Sequence, residues 1–205
     1  MPIIVDCKQH SEQWHKARLG IPTASKFNQI VTPTGKLVQP QVRQKYLYKL
    51  AAESISGIPT EDYVSWGMEK AAKTEEESRM VYAMNHEDLD VYQVGFVYHD
   101  EKRMFGSSPD ALVDTNGGFE TKGAQGDIQV DRLLKGVMIN EHIPQVQGNL
   151  YVCEREWWDF QSYSPGLKQL CIRNYRDEKY IKLLADELER FCYELAALTA
   201  KLRGM

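Results

Sequence analysis

A mixed α/β domain with central strands flanked by helices is the fold class this sequence predicts, on three observations. Helical periodicity fills the first part of the chain, short strand-like segments with turn residues follow, and a long amphipathic helix closes it. Its 205 residues are 42% hydrophobic and 26% charged, with 14 Gly and 8 Pro. Those proportions describe one soluble domain, residues 1–205, built on a single core, and exclude a disordered, collagen-like or low-complexity chain.

Ser11 reads as the cap of a helix running to Arg18 and stopped by Gly20. A second helix opens at Thr23-Ala24-Ser25 after Pro22 and is closed by Pro33 and Gly35. From Gln41 to Ser56 the residues Val42, Tyr46, Leu50 and Ala51 recur at helical spacing until Gly57 and Pro59 stop the run. A fourth helix spans Met68 to Asn85, so residues 1–88 form a helical section.

The period then changes. Val91 to His99 and Met104 to Ser107 read as strands, Asp110 to Val113 continues or follows the second, and Asn116-Gly117-Gly118 marks a tight turn before Phe119 to Gly123. Helices over Asp127 to Lys135 and Ile143 to Cys153 lead to strands Trp157 to Tyr163 and Leu170 to Tyr175, parted by Ser164-Pro165-Gly166. Together these make residues 89–175 the central section. In the last helix, 177–203, Ile181, Leu184, Leu188, Phe191, Leu195, Leu198 and Leu202 fall in steps of three and four. Such a stripe covers a sheet more readily than it zips a coiled coil.

Composition narrows the function classes. The balance of 25 basic against 29 acidic residues, a net charge of -4, gives no bulk field for a polyanion, although one groove can still be basic. No apolar run approaches the ~18 residues of a membrane span. The start, Met1 to Cys7, has no export signature, and Cys7, Cys153, Cys171 and Cys192 are too scattered for a disulfide framework. They read as small buried hydrophobes, and the expected location is the cytoplasm. No zinc-spaced Cys or His set, phosphate-binding glycine loop or nucleophile elbow is present. The five histidines are scattered.

Chemistry concentrates around acidic residues. Ser107-Ser108-Pro109-Asp110 precedes one strand, and Glu120-Thr121-Lys122 lies on the next, with Glu120 and Lys122 two apart and therefore on one face. Two carboxylates this close repel unless a cation or proton sits between them, and Mg²⁺ takes one or two carboxylates while keeping several waters. The lysine then suits a phosphate oxygen or an attacking water. The same residues also fit an exposed strand pair with its charges in solvent. On the Met68 helix, Met68, Ala71, Glu75, Ser78 and Tyr82 share a stripe, which makes Glu75 the candidate third ligand and turns Glu76 and Glu77 outward. Ser25 in a first helical turn, with Arg18 upstream, suits a terminal phosphate, or else is plain capping beside a surface arginine.

The string Trp14-His15-Lys16-Ala17-Arg18-Leu19-Gly20-Ile21-Pro22-Thr23-Ala24-Ser25 resembles the opening motif of the lambda-exonuclease, or YqaJ-like viral recombinase, family. Trp66-Gly67, Glu75-Glu76-Glu77-Ser78-Arg79, Ser108-Pro109-Asp110, Glu120-Thr121-Lys122, Gln145-Val146-Gln147 and Asp177-Glu178-Lys179-Tyr180 follow in the family's order. The resemblance implies a restriction-endonuclease-like PD-(D/E)xK core with Asp110, Glu120 and Lys122 catalytic. It also implies Glu75 as the helix-borne acid, Gln145 beside the metal, and Arg18 with Ser25 holding a 5′-phosphate. It further implies a processive, Mg²⁺-dependent 5′-to-3′ exonuclease on the ends of linear double-stranded DNA, with Mn²⁺ as a substitute ion. Such an enzyme releases mononucleotides, leaves a 3′ single strand, works as a ring-shaped homotrimer and acts beside a single-strand annealing protein. Val64 and Trp66 are candidates for a wedge at the terminal base pair, or for core packing.

Two positions depart from the family pattern. The spacing from Trp66-Gly67 to the helix acid is longer by about one helical turn, so the choice of Glu75 over Glu76 rests on the stripe, and Gly123-Ala124 replaces Cys-Pro. An endonuclease or resolvase on the same core would have no use for the Arg18–Ser25 motif. A catalytically silent DNA-end-binding adaptor would not need the intact acidic cluster.

Overall fold

The computed structural model describes residues 1–60 and 66–205, with side chains in the third helix described from Ala72 onward. Strand β1 (Ile3–Val5) leads to α1 (Glu12–Arg18), a 3-10 helix (Ala24–Gln29), α2 (Pro40–Ser56) and α3 (Trp66–Asn85). Strands β2 (Val91–Tyr92), β3 (Phe96–Tyr98), β4 (Gly106–Ser107), β5 (Ala111–Val113) and β6 (Gly117–Gly123) follow. Helices α4 (Gly126–Lys135) and α5 (Ile143–Val152), strands β7 (Trp157–Tyr163) and β8 (Leu170–Tyr175), and α6 (Glu178–Arg203) complete the chain.

The strands form two sheets. The larger is mixed, in the order β2-β5-β6-β7-β8, with β6 and β7 parallel and the other pairs antiparallel. The connection from β6 to β7 runs through α4 and α5, as a parallel pair requires a long crossover. The smaller sheet, β1-β3-β4, is antiparallel. The main core lies between the larger sheet, α2, α5, α6 and the 3-10 helix, around Phe27, Leu150, Trp158, Phe160, Leu184, Leu188 and Phe191.

Every residue of central strand β7 is buried, including Asp159, Gln161 and Ser162. Buried polar groups need partners, and these three recruit flanking elements. Asp159 accepts from the Tyr82 hydroxyl of α3 and from both arms of Arg173. Ser162 bonds Gln129 and Arg132 of α4. Gln161 donates to the Ser78 carbonyl and hydroxyl at 3.0 and 2.8 Å, while the Ser78 hydroxyl meets Thr121 Oγ1 of β6 at 2.5 Å. Polar contacts therefore lock α3 to β6 and β7, with Glu75 about one turn before the lock.

Several sequence expectations are corrected. The expected strand 91–99 is two strands on different sheets, because β2 pairs with β5 while β3 pairs with β1 and β4. The chain breaks at Gln93-Val94-Gly95, where a Cβ on Gly95 would stand 2.4 Å from the Cys7 carbonyl oxygen. Gly117 and Gly118 are strand residues and not a turn, since indole rings cover them. A Cβ would stand 2.1 Å from Trp157 and 2.2 Å from Trp158. The turn lies at Asp114 to Asn116, with Asp114 left-handed at φ 46°. The second expected helix is a 3-10 helix of 6 residues, and β1 was not anticipated. The stripe of α6 is buried through Leu195, half-buried at Leu198 and exposed at Leu202; Cys171 is exposed, against the expectation of a buried thiol. Among the described residues no helix is long and apolar enough to cross a membrane.

Gly118→Ala should overpack the β6–β7 contact and lower unfolding stability by about 1–3 kcal/mol, measured by urea denaturation. An unchanged midpoint would contradict the contact with Trp158.

Candidate active site

The β5–β6 hairpin creates the site. Backbone pairing runs Val113↔Gly117, Leu112↔Gly118 and Ala111↔Phe119. Just beyond it Asp110 leaves the strand, and its carboxylate replaces a backbone acceptor: Thr121 N donates to Asp110 Oδ2 at 2.7 Å. Glu120 is 2% exposed and held on both oxygens. Lys122 Nζ and Gln145 Nε2 donate to Oε1 at 2.6 and 2.5 Å, and Asn149 Nδ2 donates to Oε2 at 3.1 Å. Gln145 and Asn149 lie four apart on α5 and share a face. The Asn149 oxygen in turn accepts from Ser107 Oγ at 2.6 Å.

Charge in this cluster is out of balance. Burial, then the neighbouring Glu120 charge, raise the Asp110 carboxyl well above its ordinary range, against the pull of Lys122 and the Thr121 N–H. Burial raises Glu75 likewise, opposed by Lys122. Desolvation works against the Lys122 ammonium, but Glu120 and Asp110 overcome it and its pKa is raised. Glu75, Glu76, Arg79 and Asp110 line a cleft of about 250 Å³, together with Gln9 and His10. Glu76 is exposed where Glu75 is half-buried, in line with the stripe, whereas Glu77, expected to turn outward, is half-buried as well.

The hard oxygens of Asp110 and Glu120, with Glu75 nearby, fit a divalent cation such as Mg²⁺. Among the described residues no group of three or more His, Cys, Asp or Glu side chains gathers closely enough to hold a metal ion. The arrangement suits an ion that keeps waters.

A cationic site adjoins this cluster. Arg18 NH1 and Trp14 Nε1 both donate to Ser108 Oγ at 2.9 Å, and the guanidinium lies 4.0 Å over the Trp14 ring. Burial lowers its pKa to about 10 against the opposing Tyr46 and Glu53, and it remains a cation at neutral pH. Among the described residues no carboxylate forms an ion pair with Arg18. Ser108 precedes Pro109-Asp110, so the arginine and the acidic cluster share one short segment.

The model of the YqaJ-like viral recombinase domain matches residues 13–156. The chain belongs to this family. The YqaJ-like chain is also similar to the alkaline exonuclease LHK-Exo from Laribacter hongkongensis, at 28% identity over 94% of this chain and 96% of that one, with a TM-score of 0.83. The same protein in complex with dAMP gives 0.82. A phage-related exonuclease from Haemophilus somnus 129PT shares the fold at 12% identity and a TM-score of 0.64, over 89% of this chain and 96% of that one. No curated protein sequence matches significantly. The fold is the PD-(D/E)xK core, with the literal residues Pro109-Asp110 and Glu120-Thr121-Lys122, and the relationship supports a nuclease role.

Asp110, Glu120, Lys122 and Gln145 thus come together, with Glu75 in the same cleft, and Arg18 joins them through Ser108. Ser25 is exposed, its hydroxyl 3.4 Å from Thr23 Oγ1. It opens a 3-10 helix and not the expected α-helix. Val64 lies outside the described residues, as does the Trp66 side chain. Sequence reasoning assigned no role to Asn149, although its spacing from Gln145 signals a shared face, nor to the hydroxyls of Ser107 and Ser108.

His142, expected to be merely structural or exposed, stacks on Phe160 at 4.9 Å. Burial, then the Lys122 charge, push its pKa down to about 4. Because the unfolded imidazole titrates near pH 6.5, protons bind the unfolded chain first and stability falls as pH drops from about 6.5 toward 4. Comparing urea midpoints across that window should show a shallower loss for His142→Phe than for the parent. Identical slopes would contradict a neutral, buried imidazole.

Proposed function

We propose that this protein is a Mg²⁺-dependent 5′-to-3′ exonuclease on linear double-stranded DNA, with Mn²⁺ as a substitute ion. It releases 5′-mononucleotides and leaves 3′ single-stranded tails for a single-strand annealing protein. It acts in the cytoplasm as a homotrimeric ring whose closure around DNA would make digestion processive. The observation that carries the reading is the Ser108 bridge, which sets the Arg18 guanidinium one short segment away from the acidic pair.

Each side chain has a role suited to its surroundings. Asp110, through the oxygen that Thr121 does not hold, and Glu120 would bind the ion, with Glu75 reaching it directly or through water. A bound Mg²⁺ supplies Lewis-acid polarisation of the scissile phosphate and activation of the attacking water. Lys122, anchored on Glu120, presents its remaining hydrogens to a phosphate oxygen or to that water. Gln145 fixes the Glu120 rotamer. Arg18 offers a planar fork to a terminal 5′-phosphate, a group that accepts paired, charge-assisted bonds, with Ser108 and Ser25 as further hydroxyl donors.

Digestion of linear duplex carrying one 5′-phosphate end and one 5′-hydroxyl end tests the reading. With Mg²⁺ the phosphorylated strand should disappear first, EDTA should stop the reaction, and circular duplex should survive. Lys122→Ala should slow digestion by at least about 100-fold. Arg18→Ala should retain cleavage but lose about 10-fold or more of its preference for the phosphorylated end. Tight end binding without digestion would make the protein an adaptor, and nicking of circles would make it an endonuclease.

A further inference from the structure

The segment between β1 and α1 carries a glutamine whose amide joins distant parts of the chain. Gln9 Nε2 donates to the Val94 carbonyl at 3.0 Å and to the Pro109 carbonyl at 2.8 Å, which uses both hydrogens of the amide. Val94 lies at the break where β2 and β3 part to different sheets. Pro109 is the residue that delivers Asp110.

We propose that Gln9 is a positioning residue for Asp110, an inference that rests on the nuclease reading. The proline ring fixes φ of Pro109 but leaves ψ free to rotate the peptide carrying Asp110. The Pro109 carbonyl reports that rotation, and the amide of Gln9 stops it. With the peptide held on one side and Oδ2 held by Thr121 N on the other, Asp110 can turn only Oδ1 toward the cleft. The same segment grips the neighbouring residue as well, through Trp14 and Arg18 on Ser108. Residues 9–18 therefore hold 108 and 109 at two adjacent points, one a hydroxyl and one a carbonyl. His10, next to Gln9 and on the rim of the same cleft, sits at φ 65°, a left-handed conformation uncommon for a residue with a Cβ. Clamping of the preceding side chain is a physical reason for the loop to keep that conformation.

The two carbonyls demand a donor, so the substitutions separate chemistry from bulk. Gln9→Met keeps the shape without hydrogens, Gln9→Glu places a carboxylate against two carbonyl oxygens, and Gln9→Asn keeps the amide on a shorter arm. Second-layer partners of metal ligands are typically worth about 10–100-fold in metal affinity or activity. In Gln9→Met, kcat on phosphorylated linear duplex should fall by about 10–100-fold, with KM for DNA ends and the 5′-phosphate preference unchanged. Mn²⁺ affinity of the DNA-free protein, read by electron paramagnetic resonance, should weaken in step, with Gln9→Glu at least as impaired and Gln9→Asn intermediate. Parent-like kcat and Mn²⁺ affinity in Gln9→Met would overturn the inference. So would a lowered melting temperature with unchanged Mn²⁺ affinity, which marks a purely structural role, or a raised KM alone, which marks a DNA contact. A parent protein that digests nothing would end the nuclease reading, and the Mn²⁺ comparison would still decide the role of Gln9.

Discussion

Burial of the Glu120 carboxylate is the constraint on which the rest of the structure depends. An ionised carboxylate taken out of water is tolerated only when its oxygens are matched by donors or cations. Here Lys122, Gln145 and Asn149 supply those donors from two elements, β6 and α5. That requirement ties α5 to β6 through Gln145 and Asn149. It also couples the site to β4, because Asn149 closes its second bond on Ser107. Compensation is incomplete, however, since Asp110 and Glu75 crowd around the same ammonium, and their raised carboxyl pKa values mark groups whose charged forms lack a matching cation. A cleft that disfavours the charged forms of two of its carboxylates is one that a bound cation would relieve.

The fold carries this chemistry by placing polar locks where an ordinary core would be apolar. Gln161 and Thr121 hold Ser78 and so dock α3, which brings Glu75 to the cleft. Ser107 and Ser108 are consecutive, and their hydroxyls bond in different directions. One reaches the Glu120 network through Asn149, and the other reaches Trp14 and Arg18. The proposed phosphate and metal sites are therefore separated by a single peptide unit, which suits the proposed cutting at a fixed distance from a chain end.

Much of this was legible in the sequence, for identifiable reasons. Glu120 and Lys122 share a face because a strand repeats every two residues, and Glu75 separates from Glu76 because a helix repeats every 3.6. Both rules are local. The Asn149 contact with Glu120 depends on how α5 packs on β6, which no local rule encodes. The double-glycine pair at 117 and 118 reads as a turn until Trp157 and Trp158 are seen to occupy the missing side-chain space. Strand β1 and the split of 91–99 were illegible because pairing partners far away in sequence, and not alternation, decide them. The 3-10 helix after Pro22 shows the same limit, since capping residues mark where a helix starts but not its type.

An anomalous-scattering map from Mn²⁺-soaked crystals tests the central claim most directly. The account predicts a peak in direct contact with carboxylate oxygens of both Asp110 and Glu120, lost in Asp110→Asn while the bonds from Lys122, Gln145 and Asn149 to Glu120 persist. A fully occupied ion elsewhere in the cleft, or no ion with the Glu120 network intact, would contradict it.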